Sequence, residues 1–414
     1  MTGARRRWAA PALVALLVGA CAGDAGPDGA GRDEAFTLSL VETLGGADTV
    51  GYARALEPRD FVFPADHGPH EDFRTEWWYA TGNLTGDDGR DFGFQFTIFR
   101  SALAPTPPGG PSAWATNQAY MGHFALTDIA NDDFRATELF ARGAGGLAGA
   151  QAEPFRVWLE DWTLASVDGT ARPAAGGATG GGARRTGAAP DDPAAVVFPL
   201  RLAADGNGAE IELVLEAGKP HVRQGVDGLS QKGAEPGNAS FYYAHTRMPA
   251  SGRVVVDGDT TAVRGLAWLD REWSTSALSG DQVGWDWFAL QLDDGWEMMV
   301  YQLRLSDGSP DPLSDGVLID PAGRRVPLEW GSEVLVEPTG TWASPVDGSV
   351  YPSGWRIRVP ERGWDLTVEP AVLDQELRVA FRYWEGSVRV RGAGEGGRTV
   401  SGRGYVELTG YAGG

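Results

Sequence analysis

From about residue 60 onward the chain alternates apolar and polar positions in short runs bounded by Gly, Asp or Pro. That is the pattern of half-buried β-strands, not of amphipathic helices. Strands are predicted at 77–84, 91–99, 122–128, 155–164, 196–202 and 210–216 in the first half, and at 252–256, 261–269, 285–292, 296–303, 316–319, 355–359, 364–369, 377–383 and 404–408 in the second. Regularly spaced short strands with turn residues between them favour an all-β barrel or sandwich.

One unit is used twice. Trp78-Tyr79-Ala80, Asp87-Asp88-Gly89 and a strand ending in Arg100 are echoed by Trp287-Phe288-Ala289, Asp293-Asp294-Gly295 and a strand ending in Arg304. The separations of 209, 206 and 204 residues differ only by loop-sized amounts. Each copy reads as an aromatic strand, a hairpin turn and an alternating strand. Duplication predicts two antiparallel β-barrels packed against each other, with function in their mouths or between them. The expected domains are 56–245 and 246–414, with the glycine-rich stretch 224–238 crossing between them. Two Gly/Ala-rich stretches, 143–150 and 171–190, read as mobile surface insertions.

The N-terminus changes this picture of a plain globular protein. Residues 1–20 read as an export signal, with Arg5-Arg6-Arg7, then an apolar run of ten residues, Pro11 to Ala20, too short to span a bilayer. Val18-Gly19-Ala20-Cys21 resembles a lipobox, which implies cleavage before Cys21 and acylation of its sulfur. An exported lipoprotein anchored to a bacterial membrane is therefore expected, with 21–55 as a flexible tether and order beginning near Asp60. Cys21 is the only cysteine, so core burial must hold the domains together, and 42% hydrophobic residues in 414 suffice for two cores. The formal charge of −21 becomes −24 once Arg5, Arg6 and Arg7 are removed, a balance that repels nucleic acid.

Candidate chemistry centres on Trp268-Leu269-Asp270-Arg271-Glu272-Trp273. Alternation places Trp268, Asp270 and Glu272 on one face of a strand. Two carboxylates among aromatic rings suit proton transfer, one acid being raised in pKa by its neighbour. Alternatively these acids pair with Arg247, Arg100 or Arg304 across a barrel end. Trp285 and Trp287 share a face opposite Asp286, and Trp77 and Tyr79 share one that excludes Glu76; Trp77, Tyr79, Trp268 and Trp287 are the expected ligand wall. Lys232, one of only two lysines, and Arg247 are the cations expected to meet a ligand oxygen. His67-Gly68-Pro69-His70 is a turn without a third ligand nearby, so no metal is expected, and neither a phosphate loop nor a dinucleotide fingerprint implies a cofactor. Ser230-Gln231-Lys232 lacks the nucleophile elbow of a serine hydrolase.

Five segments carry a family resemblance: 67–79, 225–233, Tyr242-Tyr243-Ala244-His245-Thr246-Arg247, 267–274 and 404–411. Together they resemble the lipocalin-like family that groups AttH-like proteins and "predicted secreted hydrolases" with carotenoid 1,2-hydratases. The resemblance covers 60–411 and implies two consecutive lipocalin-like barrels. Hydratases of that family protonate an isoprenoid double bond, and Asp270 stands where they carry their key aspartate. Trp268 replaces their tyrosine, and an ungapped count puts Phe241-Tyr242-Tyr243 where they carry His-x-Trp. The leading expectation is a hydrophobic small-molecule ligand, a lipid, isoprenoid or polyketide, held in a tryptophan-rich cavity near the domain junction. Acid catalysis there would fall to Asp270, with Tyr243 and Glu272 beside it. A carotenoid hydratase-like lyase and a non-catalytic structural envelope lipoprotein are the alternatives.

Overall fold

The computed structural model describes residues 49–412 apart from 111, 113, 168–191 and 277. The expected signal, Cys21, most of the tether and the 171–190 insertion lie outside the described residues. The fold is all-β, and the only helices among the described residues are four short 3-10 turns. Two antiparallel sheets, of 13 and 10 strands, curl into lipocalin-like barrel shapes. In each, a late strand returns to pair with the first: Asp259–Ser274 lies beside Thr75–Gly86, and Thr399–Leu408 beside Gln282–Leu292. The same closure in both halves is the structural form of the sequence repeat.

Strand alternation assigns the faces. In the first sheet Trp78, Ala80, Phe94, Phe96 and Ile98 point into a barrel core with Leu159, Trp162 and Leu213. In the second, Phe288, Leu290, Met298 and Val300 do the same against Trp355, Trp364 and Trp384. The opposite faces meet each other: Tyr79, Tyr242 and Trp268 pack on Trp287, Met299, Tyr301 and Tyr405. Each barrel is thus filled by its own side chains, and the two join outer face to outer face. Gly93 permits this approach, since a Cβ there would lie 2.6 Å from Cβ of Ser387 in the other half.

Four expectations need correction. The boundary at 245/246 falls inside one strand, Ala239–Val256, and the chain leaves the first sheet only after Ser274. A β-bulge between His245 and Met248 lets that strand stay paired over its whole length, which no composition change marks. Residues 224–238 do not cross between barrels, because Leu229–Gln231 pairs back onto Ala239–Val256. The stretch 143–150 is not a free insertion, since Ala148–Gln151 forms an edge strand. Order begins earlier than Asp60, for Ala55 is buried and Ala53 N–H donates to Asp72 O at 2.8 Å.

The repeat also needs a finer register. Trp78 faces a barrel core whereas Trp287 faces the junction, so the 209-residue match joins residues on opposite faces. A one-residue slip inverts every side chain of a strand, and the match through the Asp-Asp-Gly turns, 206 residues apart, preserves the faces.

The first barrel closes on a buried ion cluster. Arg100 and Arg271 both donate to Glu76, and the Arg271 guanidinium lies 3.9 Å from the Trp78 ring centroid. In the second barrel Arg304 Nε donates to Asp286 at 3.0 Å beneath the Tyr411 ring. Two of the arginines considered as partners for Asp270 and Glu272, Arg100 and Arg304, are therefore spent elsewhere.

Candidate functional site at the junction of the two barrels

A cavity opens where the outer faces of the two sheets meet. It comprises about 780 Å³ of space, open solvent at its mouth included. The first sheet contributes Trp77, Tyr79, Phe99, Tyr242, Asp270 and Glu272, and the second contributes Trp285, Trp287, Tyr301, Tyr383 and Glu407. Most of this wall is aromatic, with acids on both sides. Such a wall suits a flat or unsaturated apolar molecule.

Asp270 is 3% exposed. Tyr242 Oη donates to Oδ2 at 2.7 Å and Trp268 Nε1 donates to Oδ1 at 2.6 Å. Burial pushes the Asp270 carboxyl up to about 8, against the lowering effect of those two hydrogen bonds and with help from Glu272. A carboxylic acid held neutral at pH 7 in an aromatic cavity is a proton donor.

Glu272 accepts from Ser240 Oγ and lies 3.7 Å from Lys232 Nζ. Lys232 sits 4.1 Å from the Tyr301 ring centroid. Burial opposes the ammonium more than any other single influence, yet Glu272, Tyr301 and Asp315 outweigh it and hold the Lys232 pKa above its ordinary value. The cavity thus has a cationic end beside its acidic wall. Ser230 Oγ, 3.2 Å from Tyr301 Oη, belongs to the same patch and has no base arranged to activate it.

The structure brings Trp77, Tyr79, Lys232, Trp268, Asp270, Glu272 and Trp287 together at this junction. It does not bring Tyr243 or Arg247. Tyr243 hydrogen-bonds His67 Nδ1 at 2.6 Å on the opposite face of its strand. Its neighbour Tyr242 takes the place beside Asp270, because Tyr242 pairs with Glu272 in register and cross-strand partners share a face. Arg247 lies past the cavity, donating to Glu297 and to Leu292 O. Glu385, Tyr383 and Glu407 were missed altogether. Alternation along Tyr405-Val406-Glu407 signalled a polar face, but nothing in sequence placed that face opposite Asp270.

His67 and His70 are held in the contacts that close the first barrel. His67 Nε2 contacts Ala194 O at 2.9 Å, and His70 lies between Asp66 and Glu76. The buried Nε2 of His245 has no hydrogen-bond partner. Among the described residues no group of three His, Cys, Asp or Glu side chains is arranged to hold a metal ion.

Paired barrels with an acid-bearing aromatic cavity at their junction define a lipocalin-like fold. The chain belongs to the AttH-like family, whose profile matches residues 54–411. It is similar to the crystal structure of an AttH candidate from Nitrosomonas europaea, at 31% identity and TM-score 0.69, over 87% of this chain and 100% of that one. It also shares its fold with kievitone hydratase from Nectria haematococca, at 13% identity and TM-score 0.62, over 87% of this chain and 97% of that one. CghA has the fold at 13% identity and TM-score 0.51, over 90% and 98% of the two chains. No curated protein sequence matches.

Proposed function

We propose that the protein binds a hydrophobic small molecule carrying a carbon–carbon double bond at the barrel junction, and that Asp270 adds water across that bond by acid catalysis. The observation that carries this reading is the buried, doubly hydrogen-bonded Asp270 carboxyl facing an aromatic cavity, where burial raises its pKa. In the first step the Asp270 O–H bond breaks as a C–H bond forms on the alkene. Trp77, Tyr79 and Trp287 present ring faces or edges to the resulting cation, the kind of wall that tolerates positive charge. Water then bonds to the cation and loses a proton. A fold shared with an enzyme named as a hydratase agrees with this chemistry.

The test is incubation with a panel of isoprenoid, polyketide and fatty-acyl alkenes in isotopically labelled water, read by mass spectrometry, alongside solvent extraction of the purified protein. Hydrated products that carry the label, and an apolar compound in the extract, are expected. A panel left unchanged by a well-folded protein sinks the hydration reading.

Lys232 defines the polar end of the same ligand. Lys232→Met keeps the side-chain length and removes the charge; it should raise KM for alkenes bearing a carbonyl or carboxylate about 10-fold or more, as expected for loss of one charge-assisted hydrogen bond. Hydrocarbons without oxygen should be unaffected. Equal effects on both ligand types would mean that Lys232 serves only Glu272.

We further propose export and anchoring through acylated Cys21, on the lipobox-like sequence 18–21. Cys21→Ser should move the protein from the membrane to the soluble fraction, and unaltered fractionation defeats the anchor.

A further inference from the structure

Across the cavity from Asp270 the second sheet brings two glutamates together. Glu385 and Glu407 are direct register partners on adjacent strands, so their side chains leave the sheet on the same face. Glu407 lines the cavity. Glu385 is fully buried; Tyr79 Oη donates to its Oε1 at 2.5 Å, while Oε2 has no hydrogen-bond partner. An ionised carboxylate with one bare oxygen beside a second carboxylate is the costliest state available here. Burial, followed by the Glu407 charge, drives the Glu385 carboxyl well up, against the smaller lowering effect of the Tyr79 and Tyr383 hydroxyls. Burial likewise raises Glu407, and Glu272 adds to it from the facing wall. Tyr405, from the strand that carries Glu407, also faces the pair.

From Tyr383, whose hydroxyl acts on the Glu385 carboxyl, a hydrogen-bonded path leads outward. Tyr383 Oη lies 2.8 Å from His123 Nδ1, and His123 Nε2 lies 2.9 Å from Glu138 Oε1. Glu138 Oε2 accepts from Ala380 N–H at 3.1 Å. With Ala380 N–H on Glu138 Oε2, a His123 proton on Nε2 donates to Oε1 and leaves Nδ1 to accept from Tyr383. The Tyr383 oxygen then has lone pairs to receive a donor, and a protonated Oε2 of Glu385 is the group that fits. Glu138 stands on the sheet-edge strand Asp133–Arg142 with its side chain 12% exposed.

We propose that Glu385 and Glu407 share one proton and form a second proton-handling centre of the cavity, connected to the surface through Tyr383, His123 and Glu138. This rests on the hydration reading above. As the oxygen of water bonds to the cation, one O–H bond of that water breaks and its proton passes to the Glu407 carboxylate. The Glu385 proton leaves over Tyr383, His123 and Glu138 to solvent, so the pair again holds one proton. Asp270 regains its own proton from solvent, and the net change is addition of one water to the alkene.

Infrared difference spectroscopy on the full-length protein, titrated with pH, reads the carbonyl stretch of a neutral carboxylic acid with no substrate present. A glutamic-acid band should persist at neutral pH in the wild type and in Asp270→Asn, disappear in Glu385→Gln, and shift in Tyr383→Phe. A band that survives in Glu385→Gln, or a wild type showing only the Asp270 band, overturns the proposal. Should Glu385→Gln fail to fold, Glu407→Gln reads the same band, which must shift or vanish when one member of a proton-sharing pair is neutralised; an unchanged band overturns the proposal there too. For the path itself, Glu138→Gln should slow hydration about 10-fold or more without altering KM or thermal midpoint, in the range of lost proton-transfer assistance. Unchanged turnover in that variant overturns the path. A persistent band in a protein that hydrates nothing sinks the hydration reading alone, whereas turnover through Asp270 without the band sinks the glutamate centre alone.

Discussion

Asp270→Asn should abolish hydration, leave the fold intact, and make the protein more stable than wild type in alkali. Asparagine keeps the shape of the carboxyl: its oxygen can accept from Trp268 Nε1 while its NH2 donates to the Tyr242 oxygen, but it has no acidic proton to give. Loss of a positioned general acid costs about 100- to 10,000-fold. The stability prediction follows from the direction of the pKa change. Burial raises the Asp270 carboxyl from 3.8 to about 8 in the folded protein. Between those values the folded chain binds more protons than the unfolded chain, so stability falls as pH rises and the loss is complete above the folded pKa. Above that point the wild type holds a buried carboxylate and the variant does not. The difference is on the order of a few kcal/mol, since one pKa unit corresponds to about 1.4 kcal/mol. Wild-type turnover should fall as pH rises through about 8, where the folded donor ionises. Thermal melts from acid to alkali, beside a pH–rate profile, check both. A large drop in midpoint for Asp270→Asn at neutral pH would instead mark Asp270 as architectural.

Glu76→Ala should destabilise the protein by about 3–5 kcal/mol, the range for removing one partner from a buried ion cluster. Glu76 is fully buried and receives both Arg100 and Arg271, with the His70 backbone N–H at 3.0 Å on Oε1. Its removal strands two guanidinium groups without their counter-charge. Although burial alone would raise the Glu76 carboxyl, Arg100 and then Arg271 hold it far below the ordinary carboxylate range. A depressed folded pKa gives stability that is present above the unfolded value and lost as pH falls. Acid unfolding of the wild type should therefore soften in Glu76→Ala, where this contribution is already gone. Urea unfolding at neutral and mildly acidic pH measures both effects. A loss under about 1 kcal/mol would show that the first barrel closes by packing alone.

These two acids show how far the sequence could be read. Asp270 and Glu76 both sit in tryptophan-rich strands, and nothing in composition separates a proton donor from an ion-pair anchor. Alternation did separate them locally: Trp77 and Tyr79 were assigned a face without Glu76, and Trp268, Asp270 and Glu272 a face of their own. Which tyrosine meets Asp270 depends on the register between two strands nearly thirty residues apart, so Tyr243 was expected where Tyr242 stands. The same dependence hid the boundary between barrels, because a bulge keeps Ala239–Val256 in one sheet without a break in pattern.

By itself the sequence determined the all-β class, the duplication and the face each strand residue belongs to, since alternation is a property of neighbours along one chain. Only the tertiary structure decided which faces turn inward and which meet across the junction. It therefore also decided that the acids of the first half, Asp270 and Glu272, confront Glu407 of the second in a shared cavity. Burial and the distances between distant strands raise the Asp270 and Glu407 carboxyls, and both quantities exist only once the two barrels have docked.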